Sequence, residues 1–219
     1  ADKMSKILSV LFIGGLSFDA HASDLKIAIT QEWGNFNPVT INLASTSAIS
    51  HFVYRGLSVR NGDGEVLPDL ASDVPNLKNG LAKLIKNGKT KSLTAQWNIR
   101  ENAKWGDGVP VTCDDLILGW QIGNNPNVSV GQRSIYANIS SIKSLDKSKK
   151  KCLVKYLNAD WSFDRDTPAL VPAHLESDIY NKFKNTPLAY EQNTTFVKNP
   201  SLKGLYNGPY IVKESKLGS

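Results

Sequence analysis

An α+β fold, with helices set against a mixed, hairpin-rich sheet, is what the sequence predicts, and three observations carry that reading. Short segments alternate apolar and polar residues between Gly, Asn and Asp turns, the period of half-buried strands. Between them lie segments with apolar residues at helical spacing, opened by Ser or Thr. The 219 residues include five Trp, seven Tyr and seven Phe, with 41% hydrophobic and 21% charged content. That is enough large apolar surface for a core and too little charge for a disordered chain. Alternating βαβ units of a parallel nucleotide-binding sheet are missing, and so is any internal repeat.

Taken in order, the chain opens with Ala1 to Lys3, which read as a remnant or an upstream extension before Met4, the single methionine. Lys6, an apolar stretch from Ile7 to Phe18 and the small-x-small triplet Ala20-His21-Ala22 read as a secretory signal peptide over residues 1–22. The apolar stretch is too short for a bilayer core, which needs roughly 20 helical residues. Leu25 to Thr30 alternates as a strand and runs into a Gly-Asn-Phe-Asn-Pro loop. Ser45 or Thr46 caps a helix carrying Ile49, Phe52, Val53 and Leu57 and ending at Gly56. Leu57 to Val59 and Glu65 to Leu67 flank Asn61-Gly62-Asp63-Gly64, a hairpin signal because these residues accept positive φ, and Pro68 ends the return strand.

Leu77 to Ser92, rich in Lys, Asn and Gly, is expected to be an exposed connection in which Leu81, Leu84 and Ile85 seat a short helical turn. Leu93 to Arg100 is a strand. Trp105-Gly106-Asp107-Gly108 reverses the chain, and Thr112 caps a helix with Asp114 and Asp115 in its first turn, where the dipole favours carboxylates. Ile139 to Leu145 and Cys152 to Leu157 form a second hairpin, Leu175 to Phe183 has helical spacing, and Tyr210 to Val212 is a last strand.

Charge and motifs narrow the function by exclusion. Lys plus Arg number 26 against 20 Asp plus Glu, a net +6. The basic runs Lys83 to Lys91 and Lys147 to Lys151 lie in polar, turn-like sequence and read as solvated loops, with no aromatic or zinc-finger signature of nucleic-acid binding. The three His residues have no G-x-S-x-G or paired nucleophile, and no P-loop, dinucleotide fingerprint, H-E-x-x-H or EF-hand occurs. Asp114 and Asp115 point about 100° apart on a helix and cannot share one substrate proton. The sequence therefore describes no enzyme and calls for no cofactor or metal. In an oxidising compartment Cys113 and Cys152 form a disulfide, with two buried free thiols as the alternative.

Asn37-Pro38, Tyr54-Arg55-Gly56-Leu57, Leu67-Pro68-Asp69-Leu70-Ala71, Trp97-Asn98-Ile99-Arg100, Lys104-Trp105-Gly106-Asp107-Gly108, Pro110-Val111-Thr112 with Asp114-Asp115, and Gly208-Pro209-Tyr210 follow one another in an order that resembles the family 5 extracellular solute-binding proteins, the peptide and nickel receptors of ABC importers. The resemblance runs from about Leu25 to Glu214. It implies a type II periplasmic-binding-protein lobe, with residues 23–219 as the N-terminal part of lobe one. Family members are much longer, with a second lobe inserted after the Gly-Pro-Tyr segment.

The motif residues themselves are scaffold: Trp97 and Trp105 anchor a strand and a turn, and Thr112 starts a helix. Contacts to ligand are implied at Asn42, Leu43 and Ala44 through main-chain groups, at Tyr136 as an aromatic facing the cleft, and at Trp33 in the loop after the first strand. Tyr136 reads equally as a core tyrosine. The resemblance further implies a peptide ligand held by backbone pairing, permease subunits of an ABC transporter as partners, a monomer, and a periplasmic location. A second reading makes the chain a standalone exported interaction module built on such a lobe.

Overall fold

A computed structural model describes residues 34–41, 44–88 and 90–215. The signal-peptide segment, the strand expected at Leu25 to Thr30, Trp33, Asn42 and Leu43 lie outside the described residues. The elements are α1 (Ala44–Val53), β1 (Ser58–Arg60), β2 (Val66–Pro68), β3 (Ala82–Asn87), β4 (Thr90–Asn98), α2 (Cys113–Asn124), α3 (Arg133–Ala137), β5 (Ile139–Ser144), β6 (Lys151–Tyr156), α4 (Ala173–Phe183), α5 (Ala189–Asn193) and α6 (Thr195–Lys198), followed by a 3₁₀ turn at Lys203–Leu205.

Both expected hairpins form. β1 and β2 pair antiparallel around the Asn61 turn, where Gly64 takes φ +84° and the Asn61 side-chain oxygen accepts from the Asp63 and Glu65 amides. β5 and β6 pair antiparallel in a four-stranded sheet of order β3-β4-β6-β5. Alternation sets its faces: Leu93, Ala95 and Trp97 of β4 lie opposite Tyr156, Val154 and Cys152 of β6, and all six are buried. With Leu116 of α2, Trp105 and Ile142 they form one of two cores.

The expected capping of α2 is observed in full. The Thr112 side chain accepts from the Asp114 amide, and the Asp115 carboxylate accepts from the Thr112 amide at 2.8 Å. Asp115 does more than cap, since it also accepts from Trp105 Nε1 at 3.2 Å and from the Ala173 amide at 2.8 Å. One buried carboxylate thus ties the Trp105 turn, the start of α2 and the start of α4 together. Cys113, one residue into α2, is bonded to Cys152 on β6. The helix is therefore bolted to the sheet at the end that Asp115 caps.

A second core gathers α1, α3, α4, α5 and α6 on the far side of α2, with Phe36, Ile122, Tyr136, Phe196 and Tyr206 buried in it. Its centre is polar. Glu176 on α4, fully buried, accepts from the Tyr190 and Thr194 hydroxyls at 2.7 Å each and from the Thr195 amide at 2.8 Å. Asn37 reaches the same cluster, donating to Tyr190 Oη at 3.0 Å, while its side-chain oxygen accepts from the Val39 amide. The Asn37-Pro38 pair is thus fixed by the helices that pack on it.

Five expectations are corrected. β3 replaces the exposed connection and its helical turn. Ala82 and Leu84 fall opposite Ala95 and Leu93, and pairing with β4 supplies the order that interspersed Lys residues hide in the sequence. The first helix starts at Ala44, so Ser45 and Thr46 lie inside its first turn rather than capping it. The Thr46 hydroxyl instead accepts from the Gly34 amide at 2.9 Å. That helix stops at Val53, three residues before Gly56, because its last carbonyls are taken by the returning segment: Gly208 and Tyr210 donate to Val53 and Phe52 at 2.8 and 3.0 Å. The same bonds explain why Tyr210 to Val212 is no strand: its partner is a helix end, not a sheet edge.

Lys150, inside one of the runs read as solvated, is also buried. Its ammonium donates to the carbonyls of Val111, Arg100 and Ala103 at 2.8, 3.3 and 3.4 Å.

Candidate functional site

A concavity of about 1180 Å³ lies along α1, the strand β1 and the segment 165–170 that leads into α4. Ser47, Ser50 and His51 come from the exposed side of α1, whose opposite side buries Val53. Tyr54, Arg55 and Gly56 carry the wall from helix to strand. This linker is held from several sides. Asn207 accepts from the Arg55 amide at 2.8 Å and donates back to its carbonyl at 3.1 Å. Tyr54 donates its hydroxyl to the Phe36 carbonyl, and burial raises that phenol well above its ordinary range.

Charge in the concavity is positive on balance. The Arg55 guanidinium pairs with Asp69, its Nε at 2.7 Å from Oδ1. Arg165 pairs with Asp164 at 2.9 Å and lies over the Trp161 ring, 4.7 Å from its centroid. Arg60 is exposed and makes no salt bridge among the described residues.

Tyr136 is buried in the helical core and also lines the concavity. Its ring rests on α2 at Gly123, where an added Cβ would come within 2.2 Å of it. Burial pushes its phenol up to about 12, against a backbone hydrogen bond at Ala169 that lowers it. Of the other residues implied as ligand contacts, Ala44 is the first residue of α1, and Asn42, Leu43 and Trp33 lie outside the described residues. Sequence reading missed Ser50, His51, Arg60, Arg165 and the segment Thr167 to Leu170. None of these sits in a periodic pattern, and they meet only because β1 and the segment before α4 run side by side, with Ser58 Oγ donating to the Asp164 carbonyl at 2.7 Å.

A smaller groove of about 520 Å³ lies between α2 and α4. His174 borders it, with Nε2 2.9 Å from Asp107 Oδ2 and its ring beside Trp105. His174 thus fastens the Trp105 turn. Among the described residues no group of three or more His, Cys, Asp or Glu could hold a metal ion.

The arrangement is a broad, open wall of hydroxyls, backbone and arginines, with positive charge on balance. A model of the bacterial extracellular solute-binding proteins, family 5 (middle), matches residues 65–219. The chain belongs to that family.

Curated relatives include the periplasmic oligopeptide-binding protein OppA of Escherichia coli K12, 30% identical over 118 residues, which are 53% of this chain and 19% of OppA. The lipoprotein ML0489 of Mycobacterium leprae is 26% identical over 200 residues, 88% of this chain and 34% of that protein. Among solved structures, an oligopeptide-binding protein of Thermus thermophilus in complex with a pentapeptide superposes with TM-score 0.70 at 21% identity, covering 82% of this chain and 32% of that one. NikZ from Campylobacter jejuni in complex with Ni(L-His) gives TM-score 0.58 at 21% identity, covering 85% of this chain and 32% of NikZ. The fold is accordingly that of a type II periplasmic binding protein. The chain spans a third or less of these proteins' length, apart from a marginally larger share of ML0489.

Proposed function

We propose that the chain provides one wall of a peptide-binding cleft in the receptor of an ABC importer, acting after export through the signal peptide at residues 1–22. The observation that carries this reading is the concavity of about 1180 Å³ on the face formed by α1, β1 and residues 165–170. An extended peptide laid along it can pair its backbone with protein backbone, which tolerates varied side chains. Tyr136 and the serines of α1 then bound the side-chain space, and the contacts that the family resemblance implies at Asn42, Leu43, Ala44 and Trp33 are assigned to the same ligand. Delivery follows from closure of a second lobe over the ligand, a hinge motion that this wall awaits. The comparison with OppA and with the pentapeptide complex supports peptide as the ligand class.

A single wall loses the contacts of the other, so affinity of this chain for di- to pentapeptides is expected in the millimolar range, roughly 4 kcal/mol. Photo-crosslinking with a pentapeptide bearing benzoylphenylalanine, followed by mass spectrometry, should label α1 and the Thr167–Leu170 segment. Labelling confined to the groove between α2 and α4 would refute the site, and sub-micromolar binding by this chain alone would refute the two-walled account.

A further inference from the structure

The four-stranded sheet has one face in the core and one face open. The open face can be read from the register: Lys83 and Ile85 of β3 lie beside Thr94 and Ser92 of β4, Lys155, Leu153 and Lys151 of β6 beside Thr94, Gln96 and Asn98, and Lys143 of β5 beside Leu153. No described helix packs there, because α2 and α3 reach the sheet at β5 and from the core side. The strands β3 to β6 contain six lysines and no Asp or Glu, as many positive charges as the whole chain's surplus of +6. Four of them, Lys83, Lys143, Lys151 and Lys155, point from the open face, are exposed, and form no salt bridge among the described residues. Asp146, in the β5–β6 turn, accepts from the Lys151 amide at 2.9 Å and feels the Lys151 charge.

We propose that this open sheet face is a docking surface for an anionic lipid bilayer. Charge complementarity carries the argument, and the composition of the face selects the partner. The face is about 15 Å across by about 20 Å along the strands. It has no arginine, the residue whose planar fork suits bidentate recognition of one phosphate or carboxylate. Lysines are mobile point charges suited to a diffuse layer of headgroups. It presents no aromatic, whereas protein interfaces centre on aromatic anchors and single-stranded nucleic-acid surfaces on stacking platforms. Ile85 and Leu153, set among the lysines, can rest at headgroup level. Each lysine near an anionic surface contributes about 1 kcal/mol, so four together account for roughly a 100- to 1000-fold gain in partitioning. Docked this way, the sheet lies on the membrane while the concavity beside α1, on a different part of the molecule, stays free.

The test is co-sedimentation of the full chain with vesicles of phosphatidylcholine alone and with 30% phosphatidylglycerol. Binding to the neutral vesicles reports the apolar stretch from Ile7 to Phe18, so the anionic increment is the quantity of interest. It should be large at low salt, fall steeply toward physiological salt, and drop by about 100-fold or more in a Lys83→Ser, Lys143→Ser, Lys151→Ser, Lys155→Ser variant. A charge-matched control, Lys182→Ser, Lys184→Ser, Lys198→Ser, Lys203→Ser, should keep most of it. Circular dichroism checks that both variants fold, and single substitutions, each losing about 5-fold, serve if the quadruple variant does not. Equal loss in the control would overturn the proposal in favour of net charge, as would no anionic increment at all. Lysine-dependent binding to heparin or DNA but not to vesicles would overturn the choice of lipid. Each of these results is independent of whether the concavity takes a peptide.

Discussion

The two cores of this molecule are fastened by opposite means. On the sheet side, apolar residues repeat with period two, a helix starts at a capping box, and a disulfide joins that helix to β6. On the helical side, short elements converge on a buried carboxylate and the hydroxyls and amides around it. The first arrangement is made of local patterns plus one covalent bond. The second depends on hydrogen bonds between residues far apart in sequence, Asn37 to Tyr190 spanning 153 positions. A region built the first way tolerates loss of any one weak contact, while a region built the second way concentrates its stability in a few atoms.

The largest expected effect tests the covalent side. Cys113 and Cys152 are both fully buried and close a loop of 39 residues, which the chain-entropy account values at roughly 4 kcal/mol. A Cys113→Ala, Cys152→Ala variant should lose about that much in urea unfolding, with no change in the contacts at Glu176. If both cores unfold in one transition in the wild type and in two in this variant, the disulfide is what couples them.

Next comes the polar side. Glu176→Ala leaves two buried hydroxyls and the Thr195 amide without their acceptor, at a cost of about 3 kcal/mol. Glu176→Gln keeps the volume and one oxygen, and should cost about 1 kcal/mol. Equal losses in the two variants would mean that packing volume, not acceptance of hydrogen bonds, holds this core.

The contrast also explains what could be read in the sequence. Both hairpins, the strand at Leu93, the capped α2, α4 and the disulfide were legible because each announces itself within a dozen residues or through two lone cysteines. β3 was not, since its register comes from β4. Nor was the burial of Glu176 and Lys150, charged residues whose partners are main-chain and hydroxyl groups in distant segments. The site divides in the same way. Tyr136 was singled out in the sequence and lines the concavity, whereas Arg60, Arg165 and His51 become neighbours only through tertiary packing. The fingerprint that identifies the family consists mostly of turn and core residues, which is why it defined the fold better than the cleft.

Asp115 belongs to both regions, and its titration measures the seam between them. Burial pushes its carboxyl up to about 6 from 3.8, against hydrogen bonds from Ala173, Thr112 and Trp105 that lower it. Because the folded value is the higher one, the folded chain holds this proton more tightly than the unfolded chain does. The group's contribution is therefore complete below about 3.8 and is lost as pH rises through about 6, an effect of roughly 3 kcal/mol. Asp115→Asn should flatten that part of the stability profile between pH 4 and 6.5. It should also lower stability at pH 7 by about 1 kcal/mol, as its amide cannot accept from all three donors. An unchanged profile in the variant would place the titration elsewhere.

The smallest effect is expected one residue away. Asp114 shares the first turn of α2 with Asp115 and carries the same formal charge, yet it faces solvent and pairs with Lys149 at 2.6 Å across a surface where both side chains are about half exposed. The hydrogen bond to Asp114 and its charge raise the Lys149 ammonium above its usual range. Water and salt screen such a pair, and two long side chains must be held still to make it. Lys149→Ala should therefore leave the unfolding midpoint unmoved within error at physiological salt, and Asp114→Asn should shift it only slightly through the lost helix-dipole interaction. If Asp114→Asn proved as damaging as Asp115→Asn, the seam would be electrostatic rather than a set of directed hydrogen bonds. Two adjacent carboxylates would then differ in exposure without differing in role.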